Sequence, residues 1–84
     1  MHVSLESTLL AWASFEALSG RLQIGFRNGD RYLYLRVPPA CYQQLMDADS
    51  KGEYFNHHIR NCFPYQNLSR PSAPLVLAAP RKTK

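Results

Sequence analysis

The chain predicts an α+β domain: a three-stranded antiparallel β-meander followed by two short helices packed on one sheet face. Three observations carry this. Two stretches alternate apolar and polar residues around an Asn-Gly pair, a Pro-Pro step ends the alternation, and two apolar stripes at helical spacing follow.

The central hairpin is the clearest element. Leu22, Ile24 and Phe26 alternate with Arg21, Gln23, Gly25 and Arg27, the period of a half-buried strand. Asn28-Gly29 suits the positive φ angles of a two-residue type I′ turn. Leu33, Leu35 and Val37 then alternate with Tyr32, Tyr34 and Arg36. A two-residue loop sets Phe26 opposite Arg31, Ile24 opposite Leu33 and Leu22 opposite Leu35, which makes the leucines the core face. On the other face Gly25 meets Tyr32, Gln23 meets Tyr34 and Arg21 meets Arg36. Residues 8–16, Thr-Leu-Leu-Ala-Trp-Ala-Ser-Phe-Glu, read as the preceding strand, turning through Ala17-Leu18-Ser19-Gly20.

Pro38 and Pro39 stop the pairing, and proline is tolerated in a first helical turn, so a helix is expected from about Pro39 to Ala48 with Tyr42, Leu45 and Met46 as its stripe. Ser50-Lys51-Gly52-Glu53 has capping-box spacing and opens a second helix, to about Asn61. Phe55, Ile59 and Cys62 share its apolar face. Residues 1–68 make one domain. Residues 69–84 hold three prolines, small residues and a basic end, which reads as a flexible tail in which Leu75-Val76-Leu77 is the one segment able to dock.

Composition narrows the function classes. An 84-residue chain has room for one core, and with 45% hydrophobic and 19% charged residues it is not disordered by composition. The net charge is +4, but Arg81, Lys82 and Lys84 supply three of it, and the remainder balances seven Lys and Arg against six acids. A nearly neutral body makes any polyanion site a matter of local patches. No apolar run reaches the roughly 18 residues of a membrane span. Cys41 and Cys62 fit no C-x-x-C pattern, and Met-His-Val-Ser-Leu-Glu has neither a basic nor an apolar leader region, so the expectation is a cytoplasmic protein with reduced thiols.

Several of these segments together resemble the KTSC domain family. They are Ser7-Thr8-Leu9-Leu10, Gly25-Phe26-Arg27-Asn28-Gly29, Tyr32-Leu33-Tyr34, Val37-Pro38-Pro39, Ser50-Lys51-Gly52-Glu53-Tyr54-Phe55-Asn56 and Ile59-Arg60. The resemblance spans roughly residues 4–68. Ala13-Ser14-Phe15-Glu16 departs from a family tendency to Gly-Tyr-Asp, and Asn61-Cys62 from a more basic pair. The family takes its name from the C-terminus of some lysyl-tRNA synthetases and also occurs as small stand-alone bacterial proteins. The resemblance implies an RNA-binding or translation-associated role, with tRNA-like RNA as partner.

Tyr32 and Tyr34, two apart on a strand, put both rings on one face near Arg21, Gln23 and Arg36. Rings on a sheet accept stacked bases and arginines meet phosphates, each base being worth about 1–3 kcal/mol. The structural alternative is that a tyrosine covers the bare backbone of Gly25. Lys51, His57 and Arg60 at the second helix extend the candidate patch, although Glu53 and His57, four apart, also make an ordinary surface pair. His58 and Cys62 have a spacing that two metal ligands can use, but a structural zinc site wants four ligands, and a catalytic cysteine needs an oriented base and an oxyanion hole. No catalytic residue, metal or cofactor is therefore expected. The competing class is a protein-interaction module, self-associating or not, that uses the same tyrosine and arginine face.

Overall fold

The structure, a computed structural model, describes residues 2–70, 72 and 74–77. One antiparallel sheet holds β1 (His2–Ser4), β2 (Leu10–Glu16), β3 (Arg21–Phe26), β4 (Arg31–Tyr34) and β5 (Tyr65–Asn67) in that spatial order. Helices α1 (Pro39–Asp47) and α2 (Lys51–His58) lie in sequence between β4 and β5. The meander thus has five strands where three were expected. The two additional ones are three residues long, too short for an alternation to register.

Tight local contacts fix the ends of the sheet. Ser7 Oγ accepts the N–H groups of Leu9 and Leu10, both at 3.1 Å, and turns the chain from β1 into β2. Arg27 reaches across from the β3–β4 loop and donates through Nε to Ser7 O at 3.0 Å and through Nη2 to Leu5 O at 2.8 Å. Its charge is thus committed to holding that connection. At the other edge Tyr65 and Val76 exchange backbone hydrogen bonds of 2.8 and 2.7 Å, so the expected docking of Leu75-Val76-Leu77 takes the form of a bridge onto β5. Of the expected tail, residues 71, 73 and 78–84 lie outside the described residues.

The hairpin register differs from the expected one by a residue. Leu22 pairs with Tyr34, Gln23 with Leu33, Ile24 with Tyr32 and Gly25 with Arg31. The loop holds three residues rather than two. Gly29 N–H donates to Phe26 O at 3.0 Å, and Phe26 N–H to Asp30 O at 2.8 Å, while Gly29 sits at φ 98°. This is a turn followed by a left-handed glycine, the three-residue alternative that the same Asn-Gly pair also serves. One residue of slip turns over every side chain of β4. Tyr32 and Tyr34 therefore join Leu22 and Ile24 on the core face, and Leu33 moves to the outer one. Leu35 leaves the strand and donates its N–H to Pro64 O at 2.9 Å.

A second irregularity lies in β2. Leu10 pairs with Phe26 but Trp12 pairs with Gly25, so Ala11 is an extra residue. Such a bulge reverses the alternation. Leu10 and Ala13 both become fully buried, while Trp12 is thrown onto the outer face.

Both helices cover the inner face. Pro39 opens α1, whose Leu45 is fully buried and whose Tyr42 stacks on Phe15 at 4.6 Å. Ser50 caps α2 by accepting Glu53 N–H at 3.3 Å, half of the expected capping box. Phe55 and Ile59 are buried, and Phe55 meets Phe26 at 5.4 Å and Tyr34 at 5.6 Å, edge to face. Each such side chain contributes about 1.5–3 kcal/mol on burial. The second helix stops at His58, short of the expected Asn61, because Asn61 takes a left-handed conformation (φ 64°) that reverses the chain.

Candidate functional site

The slipped register gathers aromatic rings at one end of the inner face. Tyr34 is 3% exposed, and its ring stacks near Tyr32 with centroids 6.3 Å apart. Tyr65 of β5 stands opposite Tyr34 in the sheet and approaches both rings, at 5.7 Å to Tyr32 and 5.8 Å to Tyr34. Phe26 packs its edge against Tyr32 at 5.5 Å. These rings line a cleft of about 310 Å³, open to solvent, with Arg60, Asn61, Asn28 and Asp30 at its mouth.

Local structure explains who stands at that mouth. The left-handed Asn61 ends α2 against the cleft and leaves Arg60, the residue before it, exposed there. Arg60 Nη1 donates to Asn56 Oδ1 at 3.2 Å, an i to i−4 brace along the helix. Across the mouth the β3–β4 loop supplies Asn28, whose Oδ1 accepts Asp30 N–H at 2.9 Å. Burial raises the pKa of the Tyr34 phenol well above its ordinary value. Tyr32 and Tyr65 add to the rise, and the Arg60 charge opposes it. Tyr34 is a neutral hydroxyl at physiological pH, forming the floor of the cleft. Tyr32 and Tyr65 are partly exposed and form its walls.

Of the residues singled out from sequence, Tyr32, Tyr34 and Arg60 come together here. The expected platform of Tyr32 and Tyr34 beside Arg21 and Arg36 does not form. Arg21 pairs with Glu16 at the far end of β3 and belongs to the outer face, while the tyrosines face inward. Arg36 is in the link to α1, at φ 63°, where Gly20 lets the two backbones approach closely. Lys51 donates to Ala48 O at 3.2 Å at the start of α2. His57 is exposed on that helix, and neither it nor Lys51 lines the cleft.

Sequence reasoning missed Phe26, Tyr65 and Asn61 as parts of a site. Alternation assigns Phe26 to the core face, and Tyr65 lies beyond the end of the second helix with no pattern of its own. Only a sheet that returns to β4 after both helices brings Tyr65 beside Tyr34, and no local periodicity carries that signal. The cysteines stand apart from the cleft. Cys41 lies 3.7 Å from the Tyr54 hydroxyl, which donates to Gln44 Oε1 at 2.8 Å, and burial pushes the Cys41 thiol up. His58 stacks on Tyr54 at 4.5 Å. Among the described residues no group of three or more His, Cys, Asp or Glu is placed to hold a metal ion. No helix among them is long and apolar enough to cross a membrane.

The molecule is thus a small α+β domain with a five-stranded sheet, both helices on one face, and an aromatic cleft with a guanidinium at its mouth. It belongs to the KTSC domain family, whose model matches residues 6–63. A crystal structure of a KTSC domain protein from Yersinia pestis is similar, with a TM-score of 0.77 and 29% identity, covering 81% of this chain and 96% of that one. A lysine–tRNA ligase of Nostoc punctiforme is 36% identical over 64 residues, 76% of this chain but 11% of the ligase. An uncharacterized protein of Stutzerimonas stutzeri is 37% identical over 55 residues, 66% of this chain and 78% of that protein. The domain therefore occurs both within a tRNA ligase and in proteins little larger than itself.

Proposed function

We propose that this KTSC domain is a non-catalytic RNA-binding module of the cytoplasm that takes one unstacked base into the aromatic cleft and meets the adjoining phosphate with Arg60. The observation that carries the reading is the convergence of Tyr32, Tyr34, Tyr65 and Arg60 on one solvent-open cleft. Proteins read single-stranded RNA by stacking splayed bases on aromatic rings and pairing arginine with phosphate. At about 310 Å³ the cleft is at the small end of ligand sites, suited to one planar group. Asn28, Asp30 and Asn61 offer donors and acceptors to a base edge. The presence of a similar segment in lysine–tRNA ligases supports a translation context, with tRNA-like RNA as the partner class.

Fluorescence anisotropy with a labelled single-stranded RNA at low salt tests this. Tyr65→Leu is expected to weaken binding by about 1–3 kcal/mol. Arg60→Gln should flatten the salt dependence by about one phosphate contact. Circular dichroism of each variant separates lost binding from lost fold. Wild-type affinity in both folded variants would remove the cleft from the account.

A second reading, a protein-interaction module, has its own observation. Leu75 and Leu77 are 47% and 73% exposed on either side of the Val76 bridge, at the edge of the sheet. Edges accept an added strand from a partner. Such binding would persist at salt concentrations that abolish phosphate contacts.

A further inference from the structure

The aromatic cleft carries one group for which a phosphate site has no use. Among the described residues that line it, Asp30 is the only acid, and it is supplied by the β3–β4 loop while Arg60 comes from the end of α2. The backbone of Asp30 is fixed on both sides. Its N–H donates to Asn28 Oδ1 at 2.9 Å, and its C=O accepts Phe26 N–H at 2.8 Å. The same turn therefore sets Asp30 and the Phe26 ring on one cleft. Asn28 Nδ2 donates to Asp30 Oδ2 at 3.4 Å, whereas Oδ1 accepts no hydrogen bond among the described residues. One carboxylate oxygen is thus held and the other is open to a ligand.

A carboxylate repels phosphate, so its place in a cleft that takes RNA is explained by what it does to the base. It only accepts hydrogen bonds, and it can take two parallel N–H groups at once. Of the four RNA bases, guanine alone presents two adjacent donors, N1–H and N2–H, on its Watson–Crick edge. Adenine and cytosine set a ring-nitrogen acceptor beside their amino group, and uracil flanks its N–H with two carbonyls. Each of these turns an acceptor toward the carboxylate and is rejected by repulsion as well as by the missing bond. We propose that the base taken into the cleft is guanine, selected by the Asp30 carboxylate through N1–H and N2–H, with Arg60 left to the phosphate. The proposal rests on the reading of the cleft as the site of one unstacked RNA base, and it names that base.

Anisotropy at low salt with a short labelled oligouridylate tests this, its central position being guanosine, inosine, adenosine, cytidine or uridine. On the wild-type chain guanosine is expected to bind roughly 5- to 150-fold more tightly than adenosine, cytidine or uridine, the range of one bidentate base contact. Inosine, which keeps N1–H and lacks the N2 amino group, should fall between. Asp30→Asn keeps the shape of the side chain and removes one acceptor. It should bring guanosine down to the level of the other bases and leave their affinity unchanged or raised, since the charge that repels phosphate is gone. A loss shared by all five oligomers would make Asp30 a structural residue of the turn and overturn the proposal. A guanosine preference that survives Asp30→Asn would overturn it too. Equal wild-type affinity for every base, or preference for another base, with Tyr65→Leu still weakening binding, would overturn the guanine assignment and leave the cleft standing. No binding of any oligomer at low salt would overturn the reading on which the assignment rests, and the assignment with it.

Discussion

Trp12 and Gly25 are cross-strand partners in which the indole fills the space above the bare glycine backbone. Gly25 is not held at positive φ, so an alanine there meets no backbone penalty, only the ring. Gly25→Ala should therefore displace Trp12 toward solvent and cost about 1–3 kcal/mol. The checks are a red shift of tryptophan emission and a thermal midpoint lowered by about 4–8 °C per kcal/mol. An unshifted emission with unchanged stability would contradict the packing described.

The three-residue hairpin loop makes a different demand on each of its last two residues. Gly29 has φ 98° and open space where a Cβ would go, whereas Asn28 is not at positive φ. Gly29→Ala is expected to lose about 1–2 kcal/mol through backbone conformation alone. Asn28→Ala should lose less, giving up the side-chain bond to Asp30 N–H. A two-residue type I′ turn would penalise both positions for backbone reasons, so comparable losses in urea unfolding would restore the other register.

That register is where the sequence stopped being legible. Asn28-Gly29 fits both a two-residue loop and the end of a three-residue one, and β4 has plausible core residues on either face, leucines on one and tyrosines on the other. Alternation located β3 and β4, but the two-residue reading of the turn puts the leucines on the core face, where the structure has the tyrosines. Pro39, the Ser50 cap, and the Leu45 and Phe55 stripes were readable because caps and helical spacing are local. The cleft was not readable, since it depends on β5 returning to β4 and on the left-handed Asn61. The outer face had a visible sign in Gly25, whose bare backbone suggests a covering tyrosine; the bulge at Ala11 delivers Trp12 instead.

The buried phenols give the domain an alkaline limit. Burial and neighbouring tyrosines raise Tyr34, and burial with the Cys41 contact pushes Tyr54 up to about 12, against an ordinary 10.0. Groups raised in the folded state stabilise it fully below the unfolded value and lose that contribution as pH rises toward the folded one. The thermal midpoint should accordingly hold steady up to about pH 10 and then fall toward pH 12. Tyr34→Phe should fall less steeply, because it has no phenol to ionise on unfolding. Parallel curves for Tyr34→Phe and wild type would show that Tyr34 is not the group responsible.

The most direct measurement of the central claim is an NMR titration of the aromatic side chains with a short single-stranded RNA at low salt. Insertion of a base into the cleft predicts large shifts, and contacts from RNA protons, for the rings of Tyr32 and Tyr65 and for the Arg60 guanidinium. Phe15 and Tyr42, which stack on each other beneath α1 away from the cleft, should stay still. Saturating RNA that leaves Tyr32, Tyr65 and Arg60 unmoved would contradict the account, wherever else on the domain the RNA were found to bind.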